Sequence, residues 1–218
     1  MLGAWPAPAG DEFAIVFDRK RARRLLVLPA LFDEGNKLRH FTVEVMRRLD
    51  AAGIDSFLPD LPGCNESGAP LEAQSLARWR GAAAAGAAHF AATHGLSIRG
   101  GALCEPAGLP MVRYAPLTGA AQLRALLRAR VIASREAGLH ENRDQLLTTG
   151  RREGLDLGGY RLGAALFGEL EDAEPPGVAT TIAQADVGDA GLWLRAEPDH
   201  DPAQADRLAG LLVEALPA

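Results

Sequence analysis

Aromatic side chains make up only 6% of the 218 residues. A core built from this chain therefore has to be filled mostly by alanine, leucine and valine. Cysteine is nearly absent: Cys64 and Cys104 are the only two, too few for a disulfide framework and not spaced as metal ligands. Lysine is almost missing as well, at Lys20 and Lys37 alone; the arginine bias fits a GC-rich genome and carries no function by itself. No apolar run approaches the roughly 20 residues of a membrane-spanning helix. The opening MLGAWPAPAGDEF has neither the basic stretch nor the long apolar stretch of a secretion signal. Internal repeats and blocks of one charge are also lacking. The net charge of −5 and the want of a basic face make nucleic acid an unexpected partner. A cytoplasmic chain without a membrane span, metal or cofactor is the expectation.

What is present is ordinary for a folded protein. Hydrophobic residues are 48% and charged residues 23%, which excludes wholesale disorder, and the length suits a single domain over residues 1–218. Glycine and proline, at 24 and 14, announce many sharp turns. Phe13–Phe17 and Leu25–Leu28 read as a hairpin or as adjacent strands, the second fully buried. A helix is expected over about Asn36–Ala52, with Gly53 where a terminating glycine belongs. Strand Ile54–Leu58, a long alanine-rich helix Leu71–His94 ended by Gly95, and short strands Leu96–Ile98 and Met111–Tyr114 follow. After them come helix Ala120–Ala137 and a polar excursion 138–158, expected to be mobile or the remnant of a lid. A short helix Leu162–Leu170, strands Ala179–Ala185 and Leu192–Leu194, and helix Pro202–Leu216 complete the chain.

Buried strands alternating with helices imply an α/β fold with a doubly wound, mostly parallel sheet. In such sheets the ligand site lies beyond the carboxyl ends of the strands, so the residues just after each strand matter most. One such place is Ser97-Ile98-Arg99-Gly100-Gly101. Small residues two before and two after an apex allow a tight strand-to-helix turn that thrusts the apex side chain outward. Here the apex is Arg99, whose guanidinium cannot serve as a nucleophile; the plain alternative is a glycine turn with a surface arginine.

The loop Phe32–Arg39 concentrates Asp33, Glu34, Asn36, Lys37 and Arg39. It reads either as a polar wall facing Arg99, with Glu34 pairing the arginine, or as helix N-terminal acids beside exposed bases, Asn36 being a candidate cap. Cys64, in the turn PGCNES, reads first as a small residue filling a turn, and as a reactive thiol if Arg39 or Arg99 stabilised its thiolate. His200 follows the last expected strand, and Asp186 and Asp189 the one before it. Those are the places of a general base and its orienting acid, although His200 is flanked by Asp199 and Asp201 and also reads as a solvated loop residue. His40, His89, His94 and His140 show no partner spacing.

Several motifs carry a family resemblance. Pro29, Asp33, Glu34, Asn36, Lys37 and Arg39 stand in the places of P-x-x-x-E-E-x-N-K-x-R, with Asp33 for the first glutamate. Residues 60–68 read Asp-Leu-Pro-Gly-Cys-Asn-Glu-Ser-Gly, and residues 97–102 Ser-Ile-Arg-Gly-Gly-Ala. Pro116 and Gly119 lead to Leu126-Leu127-Arg128, and residues 159–162 read Gly-Tyr-Arg-Leu. In this order the motifs resemble the α/β-hydrolase superfamily and, within it, the exosortase A system-associated hydrolases of the second type, over residues 24–163. The resemblance implies an α/β-hydrolase fold with a reduced lid and a bacterial gene near exopolysaccharide or protein-sorting loci; it implies no particular substrate.

Two functions stay open on the sequence. The first is hydrolysis of an ester, thioester or acyl-type bond. In it the elbow nucleophile is replaced by Arg99, a water attacks in place of the missing serine, His200 is its general base with Asp186 or Asp189 orienting the histidine, and Arg99 with the amides near residue 32 stabilises the oxyanion. The second is a catalytically silent hydrolase fold that binds an anionic small molecule or a protein partner through Arg99 and Arg39, with Glu34, Asn36 and Cys64 lining the cleft. Pairing of helices across a two-fold axis into a homo-oligomer is a third possibility without a sequence test.

Overall fold

The computed structural model describes residues 2–8 and 10–216. Strands β1 (Leu2–Ala7) and β2 (Gly10–Phe17) form an antiparallel hairpin, with Leu2 opposite Ile15 and Ala7 opposite Gly10. β1 is an element the composition hides, because Pro6 interrupts it; a proline is tolerated there because β1 lies at the sheet edge. Strand β3 (Arg24–Leu28) is buried on both faces. Helix α1 (Asp33–Ala51) then leads to β4 (Asp55–Pro59). The expected β2–β3 pairing does not occur: β4 lies between them, antiparallel to β2 and parallel to β3. The linker is held across the end of β4 by the fully buried Asp55 carboxylate, which accepts from the backbone N–H of Arg19 and Arg21 and from the Arg24 guanidinium at 2.8–3.1 Å. A buried carboxylate is stable there because each oxygen is paired.

α1 begins three residues before the expected Asn36. Phe32 turns the chain at φ +56, and Asp33 and Glu34 occupy the first turn, where the helix macrodipole favours acids. Gly53 ends the helix at φ +81 as expected. Helix α2 (Leu76–His89) is shorter than the expected 71–94. Leu71–Ala73 is a 3-10 turn, Ser75 caps α2 by accepting from Arg78 N at 3.1 Å, and Ala91 turns out of it at φ +47. Gly95 is not a helix stop but lies within β5 (His94–Ile98), where a Cβ would meet Met111 Sδ at 2.3 Å.

Strand β6 (Met111–Tyr114) and helix α3 (Gly119–Glu136) follow. The polar stretch 138–158, expected as a mobile excursion or lid remnant, contains helix α4 (Arg143–Glu153) and β7 (Leu155–Leu157); its Leu146, Leu155 and Leu157 are buried in the core. β8 (Tyr160–Leu162) pairs with β7, and α5 (Ala164–Asp172), β9 (Thr180–Ile182), α6 (Gln184–Val187) and α7 (Pro202–Ala215) complete the chain. Leu192–Leu194 is a 3-10 turn and not the expected strand.

The main sheet runs β1-β2-β4-β3-β5-β6-β9, parallel from β4 through β9. Alternation along β3 feeds two cores: Leu26 and Leu28 pack with Trp79 of α2 and Leu123 of α3, while Leu25 and Val27 pack with Phe41 of α1 and Leu208 of α7. The result is one doubly wound, mostly parallel α/β domain. No helix among the described residues is long and apolar enough to cross a membrane.

Candidate functional site

β5 delivers the chain into the elbow. Arg99 stands at φ +53, an uncommon conformation for a residue with a side chain, and opens the 3-10 turn Arg99–Cys104. Gly101 makes the turn possible: a Cβ there would lie 2.7 Å from Leu28 O and 2.4 Å from Pro29 O. Ser97 is fully buried below the apex. It donates to Glu105 at 2.6 Å, and Arg113 grips the same carboxylate at 2.8 and 2.6 Å. That network braces β5 to β6 and leaves Ser97 no access to a cleft.

The Arg99 side chain folds onto α1. Its Nε and Nη2 donate to the two carboxylate oxygens of Glu34 at 3.0 and 2.9 Å, and Nη1 donates to Ala115 O at 3.0 Å. The guanidinium carbon sits 3.9 Å from the centre of a Trp193 ring, a cation–π stack. With side-chain exposures of 12% and 16%, the pair is too enclosed to be a surface ion bridge. It forms one wall of a cleft of about 560 Å³ whose lining includes Lys37, Asp33, Tyr160, Leu126, Leu157 and Trp193. Lys37 pairs with Asp33 at 2.8 Å, so the charges lining the cleft cancel in two pairs. Three of the five guanidinium N–H groups of Arg99 are engaged, which leaves two without a hydrogen-bond partner among the described residues.

A smaller cleft of about 190 Å³ lies on the other side of Tyr160, lined by Asn36, Cys64, Asn65 and the Pro29–Phe32 loop. Asn36 does not cap α1. Its amide donates to the Tyr160 hydroxyl at 3.0 Å, closing the partition between the two clefts. Arg39 donates to Asp60 at 3.1 Å, and Asn65 donates to the same oxygen at 2.8 Å. The Cys64 thiol is pushed up to about 12 by burial and then by the neighbouring Asp60 and Glu12 carboxylates. It is a protonated thiol at neutral pH, and neither Arg39 nor Arg99 activates it: each is turned to a carboxylate of its own.

The expected acid–histidine pair is not assembled. Asp186 turns back to accept from Ala183 N at 2.9 Å at the start of α6. Asp189 is exposed and without a hydrogen bond or ion pair among the described residues. The His200 ring packs 4.7 Å from that of His40, with Nδ1 buried and unpartnered, and His200 is not among the residues lining the Arg99 cleft. Trp193 and Tyr160 line the cleft, and no sequence signal marks either for it. Trp193 was hidden in an apolar triplet resembling a strand, whereas Tyr160 stood in a recognised motif without a visible role. No group of three or more His, Cys, Asp or Glu side chains among the described residues could hold a metal ion.

No protein-family model matches the chain, and no curated protein matches it in sequence. Solved structures do. A protein of Agrobacterium vitis S4, named provisionally as a hydrolase, superposes over 100% of this chain and 99% of its own with a TM-score of 0.60 at 14% identity. Est1E from Butyrivibrio proteoclasticus, solved with ferulic acid bound, superposes over 78% of this chain and 70% of its own with a TM-score of 0.52 at 15% identity. Identities this low speak to the fold alone, which is α/β-hydrolase-like: a mostly parallel sheet flanked by helices.

Proposed function

We propose that this chain uses an α/β-hydrolase fold to bind a small molecule without attacking it. The observation that carries the reading is the bidentate Arg99–Glu34 pair, which fills the apex where a hydrolase of this fold projects its nucleophile. The ligand class follows from the lining. Balanced charges offer no net attraction to an anion, which argues against anion capture through Arg99 and Arg39. The two remaining Arg99 donors suit a carbonyl or hydroxyl oxygen, while Leu126, Leu157 and the Trp193 ring suit an acyl chain or an aromatic body. The ligand is therefore an uncharged or weakly polar acyl or aryl compound. The ordered motifs at residues 29–39, 60–68 and 97–102 support placement with the exosortase A system-associated hydrolases.

One observation favours a hydrolytic reading beside it. Arg99 is held at positive φ, strain of a kind that clusters at functional sites, and its free donors are suited to a developing oxyanion. One experiment separates the two. The protein is titrated with methyl ferulate, an uncharged aryl ester, and with short p-nitrophenyl acyl esters, with ligand-induced thermal shift and ester turnover read in parallel. Stabilisation without turnover, lost in Arg99→Ala, is the expected result. Turnover lost in Arg99→Ala would establish the hydrolase. Stabilisation that survives both Arg99→Ala and Trp193→Ala would place binding elsewhere.

A further inference from the structure

Nearly all the arginine side chains of this protein donate to a carboxylate or a carbonyl. Four do not, among the described residues: Arg124, Arg128 and Arg135 on α3, and Arg143 at the first position of α4. All four line one groove of about 560 Å³, whose floor includes Val131 and Ile132. Ile132 is 47% exposed.

The local electrostatics of this arrangement are unfavourable in isolation. Arg124 and Arg128 are spaced i,i+4, where like charges repel along a helix. Arg143 stands at the helix N-terminus, where the macrodipole disfavours a cation. In a chain of net charge −5, none of the four forms an ion pair among the described residues; Glu141, which lines an adjoining cleft with Arg135 and Arg143, is paired with Arg130. An anionic occupant removes all of these penalties together. The cations are spread over about 16 Å of α3, at 1.5 Å per residue, so the occupant is elongated and carries several negative groups; the aliphatic floor requires an apolar side as well.

We propose that the α3–α4 groove docks an acidic, amphipathic segment of a partner protein, its carboxylates gripped by Arg124, Arg128, Arg135 and Arg143 and an apolar side chain seated on Val131 and Ile132. Guanidinium groups favour this occupant because they bind carboxylates bidentately. An anionic lipid surface fits less well: the arginines rim a concavity, and the remainder of the chain is acidic. The groove shares no lining residue with the Arg99 cleft and stands independently of what that cleft binds.

The test uses the whole protein and a fluorescein-labelled helical peptide with glutamates spaced four apart and one leucine stripe, followed by anisotropy. Saturable binding that weakens with salt is expected. Arg128→Glu with Arg135→Glu should weaken it at least about tenfold, and Ile132→Ser should weaken it while leaving the salt dependence intact. Circular dichroism confirms folding; if the double variant is unfolded, Arg128→Gln and Arg143→Gln supply the same reading. Failure to bind, equal affinity for a peptide whose leucines are replaced by serine, or indifference to the substitutions would each overturn the proposal. Arginine-dependent sedimentation with phosphatidylserine vesicles in place of peptide binding would overturn it in favour of a lipid surface.

Discussion

Two stretches at the carboxyl edge of the sheet were expected to carry chemistry, and they are built in different ways. Around Arg99 the charged groups are paired with one another. The guanidinium is shared among Glu34, Ala115 O and the Trp193 ring, and the elbow beneath is fixed by the contact of Gly101 with the carbonyls of Leu28 and Pro29. Around His200 the acids serve the backbone. Asp199 accepts from His200 N, Asp201 caps α7 through Ala203 N and Gln204 N, and Asp186 caps α6. Topology brought both regions to the same edge. What each can do was decided by which partner reached its side chains, and Arg99 lines a cleft.

The contrast can be broken at four points, in order of expected effect. Gly101→Val is the harshest, because its Cβ would meet two backbone carbonyls that have nowhere to move; a loss of about 3 kcal/mol or more is expected in thermal denaturation. A midpoint close to that of the parent protein would show that the elbow is not a fixed frame. Glu34→Ala strands the Arg99 charge in a partly buried wall and should cost about 3 kcal/mol in urea denaturation. The Glu34→Ala/Arg99→Ala double variant should lose less than the sum of the two single changes. A single-variant cost below about 1 kcal/mol would mean that the pair behaves as a screened surface bridge.

The His200 side should give way sooner and more cheaply. Asp201→Ala removes the α7 cap and should cost about 1 kcal/mol. Acid should act in the same direction. Hydrogen bonds from Gln204 and Ala203 hold the Asp201 carboxyl below its ordinary value near 3.8. Its contribution is therefore complete above that pH and disappears as pH falls through the lowered value. Hydrogen exchange at Ala203 and Gln204 should accelerate below about pH 3.8 in the parent and already be fast at neutral pH in Asp201→Ala. Equal protection in both would show that the cap is idle. Smallest of all, His200→Ala should shift stability by no more than about 0.5 kcal/mol and leave ligand-induced thermal shifts untouched. A clear loss of binding would restore His200 to the site.

Much of this arrangement was readable in advance where local rules dominate. The run Leu25–Leu28 could only be a strand buried on both faces; Gly53 ends α1 because a left-handed residue was needed there; and small residues around Arg99 marked a tight turn. Glu34 and Arg99 could be suspected as partners because each follows a parallel strand of one sheet. Other features were opaque for physical reasons. Strand order is set by long-range pairing, so nothing in residues 13–28 revealed that β4 would separate β2 from β3. Alanine and leucine periodicity continues through Leu71–Leu76, yet Ser75 captures the helix start with a local hydrogen bond that periodicity does not register.

By itself, then, the sequence determined the α/β class, the sharp elbow and the absence of a nucleophile at its tip, because hydrophobic alternation and glycine sterics act over a few residues. Tertiary structure alone decided that Trp193 would lie over Arg99, that Tyr160 and Asn36 would divide two clefts, and that the unpaired arginines of α3 and α4 would converge. Those outcomes depend on contacts between residues far apart in the chain, whose formation is fixed by packing and charge pairing across the whole fold.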